Sequence, residues 1–115
     1  MDTQLKNRTL PADKQSILLR AKERLADVYG DRLRGLILYG SEARGEAQAE
    51  SDIDLLVLLD GPIALGADLR TIVDTLYPLQ LEIDRLIHAT PADPKDYEAG
   101  EFALYRKAKR EGIAL

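Results

Sequence analysis

Two short apolar runs, Leu36-Ile37-Leu38-Tyr39 and Leu55-Leu56-Val57-Leu58-Leu59, flank a Gly40-Ser41 turn and two aspartates at alternate positions, Asp52 and Asp54. Runs this short and this aliphatic read as buried strands rather than helices. In an extended chain, residues i and i+2 share a face, so Asp52 and Asp54 project together. Two carboxylates side by side repel and cost stability unless a cation compensates them. A fold built on this stretch must cover both faces of a strand and account for a carboxylate pair at its entrance.

The rest of the chain supplies the cover. From Asp13 to Tyr29 the apolar positions Ile17, Leu18, Ala21, Leu25, Val28 and Tyr29 recur at helical spacing, with charged residues between them. Pro11 suits the start of that helix and Gly30 its end. The segment from Gly40 to Gly45 reads as a turn entering one short helix, and Glu46 to Ser51 as a surface loop. Ile53 to Leu59 is expected to be the central strand, since it is apolar on both faces, and Asp60-Gly61-Pro62 stops it. Leu65, Leu69, Ile72, Val73 and Leu76 mark a second helix ending near Tyr77-Pro78. The alternation of Leu79-Gln80-Leu81-Glu82-Ile83-Asp84-Arg85 predicts a third, half-buried strand, prolonged by Leu86 and Ile87. Pro91 and Pro94 mark a loop, Tyr97 to Arg110 a last helix, and Gly112 its cap. The order helix, strand, short helix, strand, helix, strand, helix predicts an α+β fold. It is one domain over residues 1–115, with 1–8 loose and about three main strands carrying packed helices.

Charge and composition narrow the function. A net charge of −4 and a pI near 5.0 give no global footprint for nucleic acid, and Arg106, Lys107, Lys109 and Arg110 read as a solvated helix face. The absence of cysteine excludes disulfides and thiolate metal sites. No apolar run approaches the ~18 residues of a membrane span, and the polar start lacks a signal-peptide core, so a cytoplasmic setting is expected.

Chemistry gathers around the two runs. A glycine lets backbone amides approach a phosphate and a serine hydroxyl donates to its oxygens, the role open to Gly40-Ser41. Asp52 and Asp54, at the entrance of the most apolar strand, suit Mg²⁺, which takes oxygen ligands and bridges to phosphates. On the polar face of the expected third strand, Asp84 is the candidate third acid, as metal ligand or proton acceptor, with Glu82 its rival. His88 reads as structural or surface.

Gly40-Ser41, ten residues, then Asp52-Ile53-Asp54 resembles the Gly-Ser-X10-Asp-X-Asp signature of the minimal nucleotidyltransferases in the DNA polymerase beta-like nucleotidyltransferase superfamily. The flanks Leu-Tyr-Gly-Ser-Glu-Ala-Arg-Gly and Ser-Asp-Ile-Asp-Leu-Leu-Val, and the closing Arg110-Glu111-Gly112-Ile113, are similar as well. The resemblance implies a nucleotidyltransferase fold with a small mixed sheet. It implies that Gly40 and Ser41 hold a nucleoside triphosphate, ATP being the expected one, and that Asp52, Asp54 and Asp84 are catalytic and ligate Mg²⁺. Arg44 touches phosphate or pairs with an acid such as Glu50. Arg85 departs from the family's aliphatic residue after the third acid, which leaves Asp84 and Glu82 both open. Minimal members are typically antitoxins of HEPN-type toxins and adenylylate a toxin tyrosine. The resemblance thus implies a protein-modifying transferase with a HEPN-type partner, while the acidic charge and the lack of a long apolar run speak against nucleic acid as direct partner and against a membrane. The alternatives are a non-catalytic antitoxin and transfer to a small molecule or RNA.

Overall fold

A computed structural model of the chain describes residues 12–45 and 51–115. The start at 1–8, Pro11 and loop positions 46–50 lie outside the described residues.

Strand β2, Ile53–Leu59, is the most buried element, with Leu55, Leu56, Val57 and Leu59 fully inaccessible. A strand apolar on both faces needs a neighbour at each edge and helices above and below. Strand β1, Leu33–Tyr39, lies antiparallel to β2, from Leu33↔Leu59 to Tyr39↔Asp54. Strand β3, Ile87–Ala92, lies parallel to β2, from Ile53↔Ile87 to Leu58↔Ala92. A two-residue β4, Ile113–Ala114, pairs antiparallel with β1. The result is a four-stranded mixed sheet in the order β3-β2-β1-β4, with β2 internal as its composition requires.

Period-two alternation divides the two cores. Leu36, Leu38, Leu55, Val57 and Leu59 face α1 (Ala12–Tyr29) and α3 (Leu65–Gln80), meeting Leu18, Ala21 and Leu25 from the first and Ile72, Leu76 and Leu79 from the second. Ile37, Leu56, Leu58 and Ala92 face the other way, against Tyr97 of α4 (Pro94–Ala99) and Ala108 of α5 (Ala103–Glu111). Helix α2, Ser41–Arg44, is the single expected turn after Gly40. Asp68 locks α3 to α1: its Oδ1 accepts from the Tyr29 hydroxyl at 2.8 Å and its Oδ2 from the Ala64 amide at 3.0 Å.

The third strand is displaced from its expected place. Helix α3 runs to Gln80 with Pro78 inside it, residues 81–86 form a connection, and the strand begins at Ile87. Leu79 decides this. It completes the stripe Ile72, Leu76, Leu79, all at most 3% exposed, whereas Leu81, its partner in the alternation, is 68% exposed. Burial on a helical period outweighs the period of two.

Further differences are local. Pro91 lies within β3, which it can do because β3 is an edge strand. The helix expected over 97–110 is divided at Gly100, whose left-handed conformation (φ +65) ends α4 before α5 begins at Ala103. Gly112 caps α5 as expected, and a Cβ there would press to 2.7 Å from Ile37 Cγ2 and 3.1 Å from the Leu38 carbonyl. That close passage along β1 forms β4, a strand too short to show in the sequence pattern.

Candidate functional site

The sheet register assembles the site. Asp54 pairs with Tyr39 on one side and with His88 on the other, so the three form a row across β1, β2 and β3 on one face. Leu56 and Leu58 continue that face toward α4 and α5. Asp52 joins from the segment leading into β2. Asp52, Asp54 and His88 each offer a ligand atom, and these atoms all lie within 4.8 Å of one another.

The phosphate-type turn touches this cluster. Gly40 has φ +80 and ψ −160, a conformation open almost only to glycine, and a Cβ on it would collide with Asp54 Oδ2. Ser41 opens α2 immediately afterwards. Gly40→Ala should therefore destabilise the fold by about 1–3 kcal/mol in urea denaturation and displace the Asp54 carboxylate. Gly45→Ala, also at positive φ but with no atom within 4 Å of the added carbon, should carry the backbone strain without the displacement.

Arg85 ties the parts together. Only 8% exposed, it pairs with Glu42 of α2 at 2.6 Å and donates to the carbonyls of Ser51 at 2.6 Å and Asp52 at 3.5 Å. Arg85 thus joins the turn helix to the acid segment.

Electrostatics mark the cluster as short of positive charge. Burial first, and then the Asp52 charge, hold the Asp54 carboxyl above its usual range, with His88 and Lys107 pulling the other way. Burial and then Asp54 likewise raise the Tyr39 phenol. Within the basic cluster of α5, Arg106 donates to the Gly100 carbonyl at 2.8 Å and Lys109 to the Glu98 carbonyl at 2.9 Å, which fasten α5 to α4. Lys107 acts instead on Asp54.

The expected site residues fare unequally. Asp52, Asp54, Gly40 and Ser41 come together. The Arg44 guanidinium bonds Glu111 Oε1 at 3.0 Å, and Glu50, the acid named beforehand, lies outside the described residues. Glu82 is bound to Arg20 at 2.7 Å, a hydrogen bond that holds its carboxyl below its usual range. Asp84 lies exposed in the connection 81–86 rather than on a strand, and it is not one of the three residues of the cluster. The place beside Asp54 on the neighbouring strand belongs to His88. His88 and Lys107 are the residues that reading the sequence passed over. The visible signal for His88 was a lone polar side chain between Ile87 and Ala89, usable only once the strand start is known.

Two carboxylates and an imidazole converging within 4.8 Å, with Asp54 under-compensated and a glycine where any side chain would displace it, are a donor set that fits a divalent cation.

Fold and cluster together define an α+β domain whose acids are arranged compatibly with a metal ion beside a glycine-led turn. The model of the nucleotidyltransferase domain family matches residues 18–110, and the chain belongs to that family. A crystal structure of a protein from Sulfolobus solfataricus, presumed to be a nucleotidyltransferase, superposes with a TM-score of 0.57 at 18% identity, over 86% of this chain and 76% of that one. At that identity the likeness is one of fold. No curated protein matches the sequence. Among the described residues, no helix is long and apolar enough to cross a membrane.

Proposed function

We propose that this nucleotidyltransferase domain transfers a nucleoside monophosphate, AMP from ATP, to a hydroxyl of a partner protein, and that it serves as the antitoxin of a HEPN-type toxin in the cytoplasm. The observation that carries the transferase part is the contact of the Gly40 turn with Asp54 inside the Asp52, Asp54, His88 cluster, in a chain of this family. The acceptor and the partner rest on the resemblance to minimal nucleotidyltransferases.

In this reading Asp52 and Asp54 hold a divalent cation, Mg²⁺ by the family resemblance. When bound, that cation supplies charge neutralisation and alignment of the triphosphate. The Gly40-Ser41 turn offers backbone amides and a hydroxyl to the phosphate oxygens, and Lys107 adds positive charge on the same face. The acceptor oxygen bonds to the α-phosphorus as the bond to the pyrophosphate oxygen breaks, and the hydroxyl proton leaves through a site carboxylate to water. Positioning and fixed charge carry the acceleration. Asp84 lies in the connection 81–86 rather than on a strand, and this reading does not call on it. Beside His88, an apolar groove of about 280 Å³ with Val73, Tyr77 and Leu86 on its rim supports a protein acceptor at this edge.

The test is incubation with α-labelled ATP and a divalent cation, with and without the protein encoded by the adjacent gene. Label on a tyrosine of that neighbour is the expected result. Neutralisation of the neighbour without label transfer would establish the binding-only alternative, and label on RNA or a small molecule would replace the acceptor.

A further inference from the structure

We infer that His88 is the third protein ligand of the site's divalent cation, and that the site consequently favours a first-row transition ion such as Mn²⁺ over Mg²⁺. The inference rests on the metal-dependent reading above and concerns which ion it uses. Parallel pairing of β2 with β3 sets His88 beside Asp54, and an imidazole nitrogen falls within 4.8 Å of both carboxylates. Among the described residues the His88 ring makes no hydrogen bond, which leaves its nitrogens available to an ion. Its surroundings do not otherwise explain it: it is exposed on an edge strand, between Ile87 and Ala89.

Ligand chemistry then separates the ions. Mg²⁺ demands near-octahedral oxygen and keeps its waters, whereas nitrogen ligands favour transition ions. Mn²⁺ shares the taste of Mg²⁺ for carboxylates, so an imidazole added to a carboxylate pair tilts the site from Mg²⁺ toward Mn²⁺ and the later first-row ions. The Gly40 turn lies so near Asp54 that a Cβ on it would collide with Oδ2, which limits how far that carboxylate can swing toward the turn to suit another ion. The side chain beside Asp54 thus becomes a selector of the metal rather than a bystander.

Pulsed electron paramagnetic resonance on the intact protein loaded with Mn²⁺ is the direct test, since it reads nitrogen bound to manganese without any catalysis. Nitrogen coupling is expected in the wild-type protein and should vanish in His88→Gln. Calorimetric titration should show Mn²⁺ binding weakened roughly tenfold or more in that variant, while His88→Asp should bring Mg²⁺ and Mn²⁺ affinities closer together. Mn²⁺ that binds without nitrogen coupling, yet is lost in Asp54→Asn, overturns the role of His88 and leaves the acid-pair site standing. Mn²⁺ binding indifferent to both substitutions overturns the acid-pair site as well.

Discussion

Asp54→Asn should lose nucleotidyl transfer by roughly 1,000-fold or more while remaining folded. The amide fills the same space, so the Gly40 contact and the β2 register with Tyr39 and His88 stay intact. What disappears is the charge proposed to hold a cation, and with it several kcal/mol of transition-state stabilisation, at about 1.36 kcal/mol per tenfold in rate. Stability should move the other way. Burial and the Asp52 charge both raise the Asp54 carboxyl, so folding disfavours the ionised form. A group of this sign costs no stability below its unfolded range and costs most above its folded one. At neutral pH the variant should therefore unfold at the same or a higher urea midpoint than wild type, and the difference should close as the pH falls toward the carboxyl range. A variant that loses transfer because it unfolds earlier would refute the assignment. A variant that keeps most of its transfer would remove Asp54 from the chemistry.

That opposition between stability and charge is also why this part of the site could be read from the sequence. Asp52 and Asp54 stand out because they sit at the entrance of the most apolar strand of the chain, and the information needed to place them is local. Gly40 itself closes the glycine-bounded run from Leu36 to Tyr39 that reads as a strand, and Ser41 follows it directly. The third strand resisted because Leu79 belongs to two patterns. Read forward it starts the alternation Leu79, Leu81, Ile83; read backward it ends the helical stripe Ile72, Leu76, Leu79. The choice is made by the sheet surface against which α3 packs, which no window of ten residues contains. The position of Asp84 off the sheet follows from it, since moving the strand start to Ile87 puts His88 beside Asp54. Lys107 was hidden differently. Its approach to the acids depends on how α5 lies across the sheet, through contacts between Ala108 and residues of β1 and β2 far away in the chain.

Arg85→Met should destabilise the protein by about 3 kcal/mol and weaken divalent-cation binding together. The guanidinium and the Glu42 carboxylate have only 9% and 5% of their side-chain surface exposed, so their attraction is little screened. Removing the guanidinium takes its ion-pair partner at 2.6 Å away from a buried carboxylate, the costly half of a broken buried pair. The pair is not an optimal one, because Arg85 Nη1 is buried with no hydrogen-bond partner among the described residues. Its desolvation is thus incompletely offset, and the double variant Glu42→Met with Arg85→Met should be less destabilised than Arg85→Met alone, which a double-mutant cycle in urea would measure. Cation binding separates the two consequences. Arg85 also bonds the Ser51 and Asp52 carbonyls, so both variants release the acid segment from the turn helix α2. The double variant should accordingly regain stability without regaining the affinity of the wild type for Mn²⁺. Recovery of both would mean that Arg85 serves the fold alone. Recovery of stability only would make it a positioning residue that holds Asp52 in line with Asp54.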